Sequence, residues 1–177
     1  MFHCPFALQF DFIFNEHRDK VYSLCLRYLQ HKQEAEDAMQ EVFIKVYRKL
    51  DSFQDKAQLS TWIYRIAVNH CLDILRSKKR KQQLLRFLPF LQHEEGFSYI
   101  WTHKDLSVED KQELDRLMQH IRSLPENQFT ALVLNRLEGV PIEKVAQIMG
   151  LSYKSVESLL QRAKQNLIKR IEATSKE

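Results

Sequence analysis

A chain of 177 residues holds one ordinary domain or two small ones, and three glycines and four prolines against 44% hydrophobic residues favour long helices over a turn-rich β fold. The formal charge of +4 is modest but segregated: six basic and no acidic residues lie between Arg76 and Arg86, whereas seven acidic residues accompany two lysines from Glu94 to Asp115. That pattern points to a polyanionic partner for part of the molecule. No apolar run is long enough to span a membrane, and Cys4, Cys25 and Cys71, odd in number and without C-x-x-C spacing, read as reduced thiols of a cytoplasmic protein and not as a disulfide framework or a metal site.

The opening Met1-Phe2-His3-Cys4-Pro5-Phe6 lacks a basic n-region and is cut by Pro5, so it does not read as a signal peptide. The aromatic run from Phe2 to Phe14 finds no role in this reading. Val21, Leu24, Cys25, Tyr28 and Leu29 recur at helical spacing and predict a first amphipathic helix. A second carries the stripe Ala35, Ala38, Met39, Val42, Phe43, Val46, Tyr47 and Leu50. Its acidic residues lie towards the start and Lys45, Arg48 and Lys49 towards the end, as the helix dipole favours. On its other face Asp37, Gln40 and Glu41 surround Ile44, an apolar centre with a polar rim that fits a protein-docking helix or, more simply, a solvated face.

After the connection Asp51–Ser60, a third helix carries Trp62, Ile63, Ile66, Ala67 and Ile74 and runs into the basic tract of Arg76, Lys78, Lys79 and Arg80. Trp62, Tyr64 and Arg65 suit either the grip of a single strand, by stacking on bases and neutralising phosphates, or the core and rim of a small bundle. Asn69 has the paired donor and acceptor needed to read the edge of an extruded base.

Periodicity fades from Gln82 to Leu106, which reads as an unusually apolar linker around Pro89. Ser107-x-x-Asp110 resembles a capping box, and Leu114, Leu117, Met118, Ile121 and Leu124 then form a helical stripe ended by Pro125. Phe129, Leu132, Val133 and Leu137 make the next helix, closed by Gly139. Pro141 suits the first turn of another, with Val145, Ile148 and Met149 inward and Gly150-Leu151-Ser152 as the turn. The last helix buries Val156, Leu160, Ala163 and Leu167, with Ser152 as its N-cap. Its outer face offers Lys154, Ser155, Glu157, Ser158, Gln161 and Arg162, chemistry suited to a major groove. A plain helical hairpin has the same spacing. No strand signal appears, so the expected fold is all-α, two small helical domains joined by a linker.

Ala35-Glu36-Asp37-Ala38-Met39-Gln40-Glu41-Val42-Phe43, Leu50-Asp51-Ser52-Phe53 and Ser60-Thr61-Trp62-Ile63-Tyr64-Arg65-Ile66-Ala67-Val68-Asn69 together resemble region 2 of the bacterial sigma-70 family. Ser123-Leu124-Pro125-Glu126, Leu137-Glu138-Gly139 and the helix pair from Val145 to Lys164 resemble its region 4. Nothing intervenes, as in the small extracytoplasmic-function (ECF) type. The resemblance implies region 2 over 1–81, a linker over 82–106 and region 4 over 107–177. It implies that Asp37, Gln40, Glu41 and Ile44 dock on the β′ clamp helices of core RNA polymerase. It further implies that Trp62, Tyr64, Arg65, Asn69 and the basic tract, with the Phe53–Ser60 loop, open the −10 promoter element and capture a flipped base. Ser152, Lys154, Ser155, Glu157, Ser158 and Arg162 would read the −35 element, and region 4 would touch the β flap. An anti-sigma factor is a further partner it suggests.

The chain departs from the family at Pro141, where many members carry Ser or Thr, and at Glu157 and Leu159, where many carry basic residues. The competing reading is a helix-turn-helix repressor or activator with an N-terminal dimerisation bundle. An enzyme is the weakest class: the seven histidines are scattered and no nucleophile, metal or phosphate-binding motif appears, so no cofactor is expected.

Overall fold

The computed structural model describes residues 5–53, 58–85 and 108–174, and every regular element among them is helical. The chain divides into two compact units, Met1–Ile100 and Trp101–Glu177.

The first unit is a three-helix bundle of α1 (Pro5–Leu29), α2 (Lys32–Lys49) and α3 (Leu59–Leu85), with a 3-10 turn at Leu50–Ser52. The first helix begins well before the periodic set expected for it. Ile13 and His17 prolong the buried stripe of Val21, Leu24, Cys25, Tyr28 and Leu29 at steps of four. Phe10 and Phe14 of the aromatic start have a packing role. Phe10 and Phe14 set their rings against Phe43 of α2, at 6.4 Å and 4.8 Å, and Phe10 meets Tyr47 edge-on at 5.1 Å. Edge-to-face pairs of this kind add about 0.5–1.5 kcal/mol each beyond burial. They fasten the N-terminal half of α1 to the end of α2.

A two-residue turn joins α1 to α2. Gln30 takes a left-handed conformation at φ 56°, and its amide Nε2 is buried without an acceptor. His31 is the N-cap of α2, its Nδ1 accepting the Glu34 backbone N–H at 3.4 Å. Ala35, Ala38, Val42, Phe43 and Val46 are buried, with Leu50 just beyond the helix. On α3, Ile63, Ala67, Val68, Cys71 and Leu72 complete the core. Cys25 and Cys71 are free thiols there, Sγ to Sγ 3.6 Å. The hydrogen bond to Cys25, and then burial, hold Cys71 protonated far above the ordinary thiol range. The third helix continues to Leu85, past the boundary drawn at residue 81, because no glycine or proline interrupts the chain before Pro89.

The second unit comprises α4 (Val108–Arg122), α5 (Glu126–Leu132), a π-helical turn at Val133–Leu137, α6 (Ile142–Met149) and α7 (Tyr153–Thr174). Met118, Ile121, Phe129, Leu134, Val145, Ile148, Val156 and Ala163 form its core. Pro141 is the N-cap of α6 and not its first helical residue: its ψ of 147° is extended, and its carbonyl accepts the Val145 N–H at 2.9 Å. Gly150, left-handed at φ 67°, ends α6 and turns the chain into α7. The expected cap Ser107 and the apolar segment beyond Leu85 lie outside the described residues.

Candidate docking and nucleic-acid surfaces

The candidate docking face arises from the phase of α2. Burying Ala35, Ala38, Val42 and Val46 turns Asp37, Gln40, Glu41 and Ile44 outward, and all four are exposed, Ile44 by 42%. At about 100° per residue these four lie within roughly a 100° arc. Gln33 donates to Asp37 Oδ1 at 3.3 Å and steadies the carboxylate. Tyr47 and Arg48 carry the strip one turn further. Tyr47, expected in the core stripe, is 48% exposed, with one edge against Phe10. Its helical spacing matched the core; only the width of the buried arc could have shown it lies at the border.

The candidate strand face arises likewise on α3. Arg65, Asn69, Arg76 and Arg80 are exposed, and with half-buried Trp62 they fall within about 60° of one another around the helix. Asn69 and Arg80 are then separated by about 16 Å along the axis at 1.5 Å per residue. Lys79 flanks this strip, also exposed. Arg76 is held against Asp73 Oδ1 at 3.2 Å. Phe53 lies 5.0 Å from the Trp62 ring, backing one of its sides. Two expected members do not belong. Tyr64 is buried, only 8% exposed, because it lies on the core side of the helix, so its ring is not offered to a base. Lys78 points away from Asn69 by about half a turn and gives its ammonium to both oxygens of Glu34 on α2, at 2.5 Å and 2.6 Å. A half-buried pair of this kind braces the basic end of α3 against the start of α2 and occupies the Lys78 ammonium away from the exposed strip. Residues 54–57 of the expected base-capturing loop lie outside the described residues.

The two faces are joined inside the bundle. Lys45, next to Ile44, has its Nζ 2.6 Å from Nδ1 of His70, next to Asn69. Burial first, and then the Lys45 charge, lower the His70 pKa against the opposing pull of Glu41 and Asp73. The ring therefore stays neutral and accepts from Lys45.

In the second unit, α6 and α7 form the hairpin, with the polar face of α7, the candidate reading helix, exposed. Ser152 Oγ accepts the Ser155 backbone N–H at 3.2 Å and lies 2.8 Å from the Ser155 hydroxyl. It is therefore the N-cap, with much of its hydrogen-bonding capacity used locally. Lys154, Ser155, Glu157, Gln161 and Arg162 are exposed, and Ser158 is half-buried. Arg162 folds back along the helix, its Nε donating to the Ser158 carbonyl at 3.3 Å and its Nη2 to the Ser158 hydroxyl at 3.0 Å. The guanidinium is thus pre-set towards the N-terminal turns of α7. Tyr153, at 43% exposure, belongs to this face and escaped the sequence reading, since an aromatic at a helix start is as often core. The Glu157 charge, with Glu143 adding to it, raises the Tyr153 pKa.

These faces supply three chemistries: an apolar centre with an acidic rim, an aromatic and basic track for a single strand, and a polar helix of groove-reading size. Among the described residues, no helix is long and apolar enough to cross a membrane.

Comparison with known proteins gives the same division. Residues 13–81 match the family Sigma-70 region 2, and residues 114–167 match Sigma-70, region 4. The chain is 30% identical over 158 residues to the ECF RNA polymerase sigma factor SigW of Bacillus subtilis, covering 88% of this chain and 84% of that protein. It is 32% identical over 170 residues to the ECF RNA polymerase sigma-E factor of Haemophilus influenzae, covering 92% and 87%. Among solved structures, the sigma factor RpoE bound to the anti-sigma factor NepR from Bartonella quintana has the same fold, with a TM-score of 0.70 at 20% identity over 93% of this chain and 97% of that one. CnrH in complex with the cytosolic domain of CnrY aligns with a TM-score of 0.67, also at 20% identity, over 93% and 88%. The chain belongs to the sigma-70 family of transcription initiation factors, in its extracytoplasmic-function branch.

Proposed function

We propose that this sigma factor docks on core RNA polymerase through Asp37, Gln40, Glu41 and Ile44, with Tyr47 and Arg48 extending the contact. The observation that carries this reading is the pairing of that strip on α2 with the Trp62–Arg80 strip on α3 of the same bundle. Docking would therefore bring a strand-gripping surface to the polymerase cleft. Arg65, Arg76, Lys79 and Arg80 follow the phosphates of the unpaired −10 strand, and Asn69 pairs with an extruded base beside Trp62. Unstacking costs a few kcal/mol per base, offset by stacking and phosphate contacts. The exposed face of α7 reads the −35 duplex. Residues 1–81 act as the core-binding and −10 module, 82–106 as the connection and 107–177 as the −35 module.

The protein performs no chemistry of its own, phosphodiester formation being the polymerase's, and it works in the cytoplasm. Because two proteins of this fold were solved in complex with CnrY and with the anti-sigma factor NepR, an anti-sigma protein is also a partner we assign to this chain.

The test is retention on immobilised core polymerase. Asp37→Lys combined with Gln40→Ala loses retention while keeping the helical circular dichroism of the parent. Retention equal to that of the parent would reject the assignment of α2. A protein that binds promoter duplex tightly without polymerase would instead favour the repressor reading.

A further inference from the structure

The face of α7 assigned above to the −35 duplex has one group that does not fit a phosphate-lined groove. Lys154, Ser155, Ser158, Gln161 and Arg162 can all donate hydrogen bonds; Glu157 is an acceptor only. It stands exposed in the second turn, within about 60° of Lys154 and about 40° of Gln161 around the helix. Among the described residues no basic side chain is paired with it: Arg162 is turned to Ser158, and Tyr153, one turn earlier, is a neutral phenol that hydrogen-bonds to the Glu157 carboxylate and leaves its charge in place. Glu143 adds a second negative charge near Tyr153, so the neighbourhood is locally acidic within an otherwise polar and basic surface.

An unneutralised carboxylate brought to DNA is repelled by phosphates unless it accepts protons from the bases. In the major groove cytosine alone presents a donor, its 4-amino group, with no acceptor of its own; adenine sets N7 beside its 6-amino group, and guanine and thymine offer only acceptors there. We propose that Glu157 is a specificity residue that accepts from the 4-amino group of a cytosine, so that this factor selects a C·G pair at one position of its upstream element. The inference rests on the assignment of α7 as the duplex reader. Arg162, pre-set against Ser158, supplies the neighbouring cationic contact, to a phosphate or to a guanine. The same carboxylate weakens general attraction to the backbone, so the upstream contact gains selectivity at the expense of affinity.

The full chain is assembled with core polymerase and used to select from a fragment library randomised across both promoter elements, with the bound pool sequenced. The parent is expected to enrich C·G at one upstream position. Glu157→Ala reduces that enrichment about tenfold, the lower part of what one base contact contributes. Glu157→Gln replaces C·G by A·T there, because an amide pairs with both adenine N6 and N7. If the parent and Glu157→Ala select the same upstream sequence, the inference is overturned and duplex reading by α7 stands. If the parent selects a downstream element and no upstream one, the reading of α7 itself fails, and this inference with it. Glu157 is exposed, so misfolding of its variants is not expected; coincident thermal melts check this.

Discussion

Asn69 has one amide on the exposed arc of α3, and everything near it is arranged to keep it there. His70 beside it is anchored to Lys45, and Ala67 and Val68 before it are buried. Asn69→Ala is therefore expected to keep the fold and retention on polymerase while reducing discrimination between matched and mismatched −10 elements by tenfold or more, measured as open complex formed on each promoter. Gln30 poses the opposite case, a residue in a conformation that suits it poorly. A left-handed backbone costs a side-chain-bearing residue about 1–2 kcal/mol, part of which glycine returns as chain entropy. Gln30→Gly is expected to raise stability by up to about 1 kcal/mol in urea unfolding, since the buried amide has no acceptor to lose. At this scale the sequence was readable by residue type but not by direction. Asparagine, arginine and tryptophan suit strand chemistry by type, yet only the phase of α3 separates Arg80, which lies on the strip, from Lys78, which is bound to Glu34, and Arg65 from buried Tyr64.

Helices were legible where one apolar stripe set their phase. The cores of α2, α6 and α7 follow the spacing of Val42 and Val46, of Val145 and Ile148, and of Val156 and Ala163. Their ends were less legible. The N-terminal turns of α1 depend on Phe10 and Phe14 meeting Phe43, a contact between residues about thirty apart that no local period reveals. Gly150 was legible because a turn between two helices calls for a left-handed residue. An added methyl there would meet no atom within 4 Å, so Gly150→Ala loses only the backbone term, about 1 kcal/mol, read as a lower unfolding midpoint of the second unit.

The first bundle also carries two histidines kept neutral. Burial lowers His17, opposed by Glu16 and reinforced by Lys20; burial and Lys45 lower His70. A lowered folded pKa means that the unfolded chain takes up protons first. Their stabilising share is thus fully present above the ordinary imidazole value of about 6.5 and is lost as pH falls below it. Urea midpoints should fall from pH 7.5 to pH 5.5, and His70→Gln should reduce the slope.

The whole molecule comprises two helical units, and that division shows in the separate family matches over 13–81 and 114–167. On the proposed reading the α2 docking strip lies in the first unit, so a chain ending at Leu85 should retain core binding, through that strip without any contact to the β flap, and lose upstream selection. On the proposed reading the α2 strip and the α3 strip initiate transcription only in combination. Transcription from a genomic fragment library by purified core polymerase, with and without the protein, tests this most directly. Initiation through the paired strips predicts a small set of start sites that appear only with the protein and vanish with Asp37→Lys and Gln40→Ala. The same start sites with and without the protein, or their persistence in that double variant, would contradict it.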